Sequence, residues 1–527
     1  MERRTFIGGG VAAIAAMGTA ACGGGKDGSV SASAKTSAPA GATPSSTASR
    51  TAMRTTSAAA AANWTALAHD LDGPLVRPGD ADWTTAHKLY NTRFDTLKPA
   101  AVAYVANADD IRTVLAYARA HSVKVSIRNG GHSYAGWSSG DGRLILDVSE
   151  LSKIRASGSQ AVVGAGAKLI DVYRALAAKG VTIPAGSCPT VGVSGLTLGG
   201  GHGVVSRAYG LTCDSLTQAT LITADGKQLI ADSTENKDLF WALRGAGNGN
   251  FGVVTELQFK THPAPQAVSG YLRWPWAKAA AVVKAWQEWG PSQPDEIWSS
   301  LHLEGTGATP SVSVAAFSLG SYGELQNAVD KLAHAIGADA SSVSLKRHTY
   351  EESMEAYAGC SSFSSEPQCH LPGSTPGRSP QGRLGRETYT AHSDFFDRSL
   401  SAAGIQTLLN QLKSVRGGAG SIALTALGGA VNRVSPTATA FVHRRSRMLA
   451  QYLVSWSAGT SGTAARSWLT AAHGAMKPYA SGAAYQNYTD PTLTNWRTAY
   501  YGDAATRLAT LKKQYDPDRF FTFPQAL

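Results

Sequence analysis

The stretch Ala185 to Asp214, AGSCPTVGVSGLTLGGGHGVVSRAYGLTCD, carries one cysteine in a Gly-Ser-Cys-Pro turn and six glycines between Gly192 and Gly203. So many glycines cost backbone entropy on folding and bring no side chains to a core. Their use is to let backbone N–H groups approach a bulky, phosphorylated ligand closely. Upstream lies a second stretch of this kind, Arg128-Asn129-Gly130-Gly131-His132-Ser133-Tyr134. The two together read as one cradle, and the rest of the chain as what exports, braces or covers it.

Working outward, residues 108–121 place Ile111, Val114, Leu115 and Ala118 on one face behind two acidic residues, which predicts a helix. Val123, Val125 and Ile127 alternate with polar residues and predict a strand that runs straight into the Arg128 turn. Further strands are expected at 144–148 and 161–164, a helix at 168–178, and a hairpin over 216–223 and 228–231 around Asp225-Gly226. A short helix at 238–243 precedes a third glycine loop, Gly245 to Gly249, and a strand at 251–261. From Val268 the texture changes. Strand-like runs at 297–303, 311–318, 422–427, 438–443 and 450–455 alternate with helices at 277–289, 323–336 and 466–476. That pattern predicts an α+β chain whose second domain is an antiparallel sheet with helices on one side. A helix at 503–515 and Asp516-Pro517 close the sequence.

The chain has 527 residues, 43% hydrophobic and 16% charged, enough for two or three domains and a large core. Its charge is +11, but the first 62 residues hold six basic and two acidic residues, leaving +7 for the rest. No basic run suits nucleic acid; the densest cluster, Arg444-Arg445-Ser446-Arg447, reads as a solvated or substrate-edge patch. Residues 1–22 read as a twin-arginine export signal: Arg3-Arg4, a weakly apolar segment, then Thr19-Ala20-Ala21 before Cys22. Cys22 is either a lipid attachment point or a residue beside a cleavage site. Residues 23–62, rich in Gly, Ser, Ala and Thr with no aromatic residue, read as a disordered tether. The folded units expected after it are 63–265, 266–478 and a returning segment, 479–527. In an exported chain Cys360 and Cys369 are expected to pair.

Three local patterns are set aside. Gly136-Trp137-Ser138-Ser139-Gly140 lacks the strand–turn–helix context that a hydrolase serine elbow needs. Gly245-Ala246-Gly247 lies between a helix and a strand, the reverse of a dinucleotide crossover. No metal site is expected, because no histidine or cysteine pair has ligand spacing on one element.

Arg-x-Gly-Gly-His-Ser-Tyr and Gly-x-Cys-Pro-Thr-Val-Gly, with Tyr485-x-Asn487-Tyr488-x-Asp490 and Tyr515-Asp516-Pro517, together resemble the berberine-bridge-enzyme-like flavoproteins of the vanillyl-alcohol-oxidase superfamily. The resemblance implies a PCMH-type, two-subdomain FAD-binding module at 63–265 and a substrate domain above it. It implies FAD joined twice to the protein, through His132 and Cys188. Arg128, Asn129, Gly130, Gly131, Ser133, Gly192 and Gly195 would cradle the pyrophosphate and ribityl chain, with Val254 and Asn487 alongside.

The same resemblance implies hydride removal from a carbon while a base takes a proton from oxygen, with Tyr488 as that base and Tyr485 and Tyr134 lining the site. A free phenol has a pKa of about 10, so it needs help to act near neutrality. Cys213 would sit at the oxygen gate, and its small size favours an oxidase using O2 and releasing hydrogen peroxide. The expected substrate is a small-molecule alcohol, either a sugar or oligosaccharide or a secondary-metabolite hydroxyl. A dehydrogenase passing electrons to another acceptor is the enzymatic alternative; a flavin-free binding protein that kept the fold is the non-enzymatic one. Trp274, Trp276, Trp286 and Trp289 could stack sugars, although Trp286 and Trp289 share helical spacing, which suits a core.

Overall fold

The computed structural model describes residues 63–305 and 309–527. The leader, the tether and Cys22 therefore lie outside the described residues. The helix Ala108–Ala120 starts where the Asn107 side chain accepts from the N–H groups of Asp109 and Asp110, and it buries the four residues its periodicity named. The chain then enters Val125–Arg128, which pairs parallel with Leu144–Asp147. Ala101–Tyr104 pairs parallel on the other side of that strand, and Leu75–Val76 adds antiparallel at the edge. Ala101–Tyr104 escaped the sequence because all four residues are buried and show no alternation.

A second sheet of five antiparallel strands runs in the order Ile154–Ser157, Gln160–Gly164, Val253–Lys260, Leu216–Ile222, Gln228–Asp232. Its last two strands are the expected hairpin, with Gly226 at φ +83 in the turn. One large apolar core joins both sheets, the helices between them and the C-terminal helices.

The third sheet has seven antiparallel strands: Ser342–His348, Ala267–Trp274, Ser311–Ser318, Ile297–Gly305, Ala419–Ala426, Met448–Ser455, Tyr389–Phe396. Helices Ala279–Trp289, Tyr322–Ile336, Ala402–Lys413 and Thr463–Met476 pack on one face and share a core with it. Tyr322–Ile336 is bounded as a helix should be: a Ser321/Glu324 capping box opens it and Gly337, in the left-handed region, closes it. The other face of the sheet looks back at the first domain.

Two expectations are corrected. Residues 438–443 form no strand: the Ala440 and Phe441 N–H groups bond to the Trp241 and Arg244 carbonyls, so this apolar run docks on a helix end instead of joining a ladder. Arg444 is not a solvated patch residue. It is buried, donates to both Asp214 oxygens at 2.8 and 2.6 Å, and lies 4.9 Å from the Phe441 ring centre. Cys360 and Cys369 are joined as expected, with Cα atoms 5.7 Å apart.

The final segment returns to the first domain. Lys512, buried, donates to the Asn250 and Phe521 carbonyls and to Asp516 Oδ2, while Asp516 also accepts from the Phe520 and Phe521 N–H groups. That network closes 479–527 over the third glycine loop.

Candidate active site

The two glycine stretches touch. A Cβ on Gly130 would collide with the Thr190 carbonyl, and one on Gly192 with the Asn129 side chain. Glycine is required at 130 for the backbones to approach and at 192 to leave room for the Asn129 amide. Gly195 is different: nothing lies within 4 Å of where its Cβ would be, and it lines a cavity of about 380 Å³. Arg128, Asn129, Gly130, Gly131, His132, Ser133, Gly192, Val254 and Cys188 line the same cavity. The structure thus brings together two segments about sixty residues apart, as their composition suggested.

Side chains fix the cradle from behind. Arg128 is buried and paired with Asp147. Lys168, also buried, donates to Asn129 Oδ1 at 2.7 Å, to Ser149 Oγ and to the Gly166 carbonyl. Burial pulls its ammonium down to about 8. At the end of the cradle the His132 ring stacks on Tyr90, centroids 4.0 Å apart, and its Nε2 lies 2.8 Å from Thr190 Oγ1. Burial, then the Lys168 charge, lowers His132 to about 3, so its imidazole is neutral and holds a free electron pair at ordinary pH.

Beside it lies an aromatic group from two segments. Tyr134 and Tyr488 stack with centroids 5.3 Å apart. The Tyr134 hydroxyl accepts from Gln451 Nε2 at 2.7 Å. Tyr485 lines the cavity, but its hydroxyl is committed: it accepts from the Gly201 N–H and from Asn487 Nδ2, both at 2.9 Å. Asn487 also donates to the Leu196 carbonyl and accepts from Asn248. Tyr485 and Asn487 therefore hold the glycine helix in place, while Tyr488 is the tyrosine left to react.

Tyr488 has a partner the sequence reading missed. Its hydroxyl lies 2.8 Å from Nε2 of His202, the histidine of Gly-Gly-Gly-His-Gly. His202 Nδ1 is buried with no hydrogen-bond partner. Burial lowers His202 to about 4, so the ring is neutral, and in its Nδ1–H tautomer Nε2 accepts the phenolic proton. Burial raises Tyr488, so the phenol is protonated at rest and shares its proton with His202. A histidine set between Gly201 and Gly203 had no periodic signal of its own; only its partner Tyr488, from the last segment of the chain, marks it.

The cavity roof is the inner face of the seven-stranded sheet. Trp298, Ser300 and His302 of Ile297–Gly305 project into it at period two, joined by Ala423 and Thr425, Leu449 and Gln451, and Tyr389. The tryptophans named from the sequence are elsewhere. Trp286 and Trp289 are core residues whose ring N–H groups donate to Ser299 Oγ and the Ala328 carbonyl. Trp274 is buried and bonded to the Ala338 carbonyl, and Trp276 packs on the same core. Cys213 is not on the cavity wall either. Its N–H bonds to the Gly200 carbonyl, which turns the thiol into a cluster with Leu211, Phe395, Phe441 and Tyr485. Burial pushes that thiol up, and it is inert there.

A glycine cradle with open space at Gly195, a neutral histidine at its end, and a tyrosine–histidine pair under a second domain define a cofactor-dependent oxidoreductase. The comparisons agree. The FAD binding domain family matches residues 99–232, and the berberine and berberine-like family matches 484–527. A FAD-linked oxidoreductase of Bacillus subtilis, YgaK, is 32% identical, covering 87% of this chain and 97% of the relative. The xylooligosaccharide oxidase of Thermothelomyces thermophilus is 31% identical, covering 86% and 92%. The solved structure of Physcomitrella patens BBE-like 1 superposes with TM-score 0.79 at 29% identity, covering 88% and 98%. The chain belongs to the berberine-bridge-enzyme-like FAD-linked oxidoreductases, and it is a FAD-dependent oxidase related to carbohydrate oxidases.

Proposed function

We propose that the chain is an exported oxidase whose FAD is joined covalently to both His132 and Cys188. Its proposed substrate is a sugar or short oligosaccharide, oxidised at a hydroxyl-bearing carbon, with O2 as final acceptor and hydrogen peroxide as product. The observation that carries the reading is the Tyr488–His202 contact of 2.8 Å inside the cavity that His132 also lines. FAD, when bound, supplies the hydride acceptor and hands the electrons on to oxygen. The residues of the chain do the rest. Tyr488 takes the proton of the substrate hydroxyl on its oxygen as its own proton passes to His202 Nε2. Neither step leaves a phenolate in a buried site. Tyr134, stacked on Tyr488 and anchored by Gln451, keeps the phenol ring in line.

The roof supports the proposed substrate class. Trp298 brings an indole to the cavity wall, and Ser300, His302, Thr425 and Gln451 offer donors and acceptors. Aromatic faces beside hydroxyl-directed polar groups suit a sugar ring better than an apolar secondary metabolite. The name of the fungal relative above points the same way. His132, neutral and backed by Tyr90, supplies the nucleophilic nitrogen for one link; Cys188 lines the same cavity but is disulfide-bonded in the structure, so the second link requires its sulfur to be released first. Export by the Arg3-Arg4 leader would fit a polymer-derived sugar, with Cys22 either lipidated or beside the cleavage point.

The test begins with acid precipitation of the purified protein. Yellow colour on the pellet, mapped to peptides containing His132 and Cys188, is expected; colour only in the supernatant would defeat the covalent reading. A panel of mono- and oligosaccharides in air should then give peroxide equal to sugar oxidised. Turnover only with dyes under nitrogen would make the protein a dehydrogenase.

A further inference from the structure

Behind the active site, three elements distant in sequence bring two histidines and two carboxylates to one buried point. His392 and Asp394 stand two apart on the edge strand Tyr389–Phe396, so they share a face of the sheet. His473 comes from the helix Thr463–Met476 that packs on that face, and Asp490 from the segment that wraps the sheet edge. All four are at least nine-tenths buried. The imidazoles of His392 and His473 stack with centroids 4.9 Å apart. His473 Nε2 lies 3.2 Å from Asp394 Oδ1, and His392 Nδ1 lies 2.6 Å from Asp490 Oδ2. One ligand atom each from His392, His473 and Asp490 fall within 4.8 Å of one another.

We propose that these residues form a site for a divalent first-row transition metal of the zinc type, with His392, His473 and Asp490 as ligands and Asp394 as the second carboxylate, held on His473. Charge is the first argument. Two buried carboxylates need compensation. Protonating both histidines would supply it only by stacking two cations face to face. A dication with two neutral imidazoles and two carboxylates leaves the group neutral without that repulsion. Geometry is the second argument. His392 Nδ1 is buried and lies close to Asp490 without the alignment of a hydrogen bond, so it has no hydrogen-bond partner. One donor atom each from His392, His473 and Asp490 already lie within 4.8 Å of one another, so small side-chain shifts bring all three round one ion. The third argument is the orientation of Asp490: its Oδ1 accepts from the Thr492 N–H at 2.8 Å and hydroxyl at 2.6 Å, which turns Oδ2 toward His392. Two imidazole nitrogens and carboxylate oxygens are a donor set for zinc, and cobalt takes the same set.

The sequence reading, which expected no metal, had no means of finding this cluster. Ligand spacing on one element is a local signal, and these ligands come from residues 392, 473 and 490 on three elements. The metal would clip the helix layer, the sheet edge and the Tyr485–Asp490 segment together, two residues beyond Tyr488.

The test uses the flavin-loaded protein in metal-free buffer. Elemental analysis is expected to give about one zinc per chain, or about one after zinc is supplied and excess removed. X-ray absorption at the zinc edge should show two imidazoles with oxygen donors at about 2.0–2.2 Å. Cobalt(II) loading should give tetrahedral d–d bands, beyond the flavin absorption. His473→Asn and His392→Asn should each lower the metal content at least tenfold. A wild-type protein that holds no metal and takes up neither zinc nor cobalt would overturn the site. So would a bound zinc whose absorption spectrum lacks two imidazoles, a result that stands whether or not the variants fold.

Discussion

The glycine cradle and the sheet roof face each other across one cavity, yet they recognise their ligands by opposite means. The cradle works through backbone: Gly130 is glycine because its main chain touches that of Thr190 and Gly192, Gly192 leaves room for the Asn129 amide, and Gly195 borders open cavity space. The roof works through side chains standing on alternate strand positions, Trp298, Ser300 and His302 foremost. A cradle made of main chain can be held constant while a roof made of side chains is changed, so cofactor and substrate are specified by separate parts. The predictions below probe where the two parts are coupled and where they are independent.

The largest effect is expected at the point of contact between them. Tyr488→Phe removes the oxygen that takes the substrate proton and leaves the ring to stack on Tyr134. It should lower kcat by about 10²–10⁴-fold, the range of a lost general base, with flavin content unchanged. Tyr485→Phe should behave differently, because the Tyr485 hydroxyl only accepts from Gly201 and Asn487. Its loss should appear first as reduced flavin loading. Equal kcat losses in both would erase the distinction between reacting and holding tyrosines.

Next comes the tie between the domains. Arg444, from the loop beneath the sheet, is paired with Asp214 of the first domain in a buried setting. Arg444→Ala would strand that carboxylate and should cost about 3–5 kcal/mol. Arg445→Ala, an exposed change one residue away, should stay within about 0.5 kcal/mol. Denaturant melts of the two variants check this. Similar midpoints would mean that the domains are held together elsewhere.

His202 offers a pH signature. Burial disfavours its charged form and lowers it to about 4, so it accepts a proton from neutrality down to about pH 4 and loses that ability below. In the wild type kcat/KM should fall as pH drops through about 4. His202→Gln should lower kcat about 10–100-fold and abolish that acid limb. An acid limb unmoved by the substitution would show that another group accepts the Tyr488 proton.

Much of the cradle could be read from the chain because it is written as composition and local order: glycines, a histidine and a cysteine in two short turns. The helix at Ala108–Ala120 and the hairpin after Leu216 were equally local, carried by periodicity and a turn dipeptide. The roof was not legible, because Trp298, Ser300 and His302 look like any alternating strand until a second domain decides which face is inward. Arg444 was misread for the same reason: its carboxylate partner is 230 residues away. His202 stood in the quoted stretch yet carried no signal, since its role depends on Tyr488, brought in by the chain's last segment. The strand expected at 438–443 shows the converse, a β-like composition overruled by hydrogen bonds to a helix end.

The smallest effect separates two tryptophans that composition cannot tell apart. Trp298 lines the cavity, whereas Trp286 is fully buried behind the sheet with its N–H held by Ser299. Trp298→Ala should raise KM for the best oligosaccharide about five- to tenfold, the value of one lost stacking face, with little change in peroxide yield. Trp286→Phe should leave KM alone, because no substrate touches it, and should instead lower the melting midpoint through a lost hydrogen bond and a packing gap. If Trp298→Ala left KM unchanged for every sugar while raising it for an apolar alcohol, the roof would be reading an apolar surface rather than a sugar ring. The substrate class would then move to a secondary-metabolite alcohol, with the cradle and its chemistry untouched.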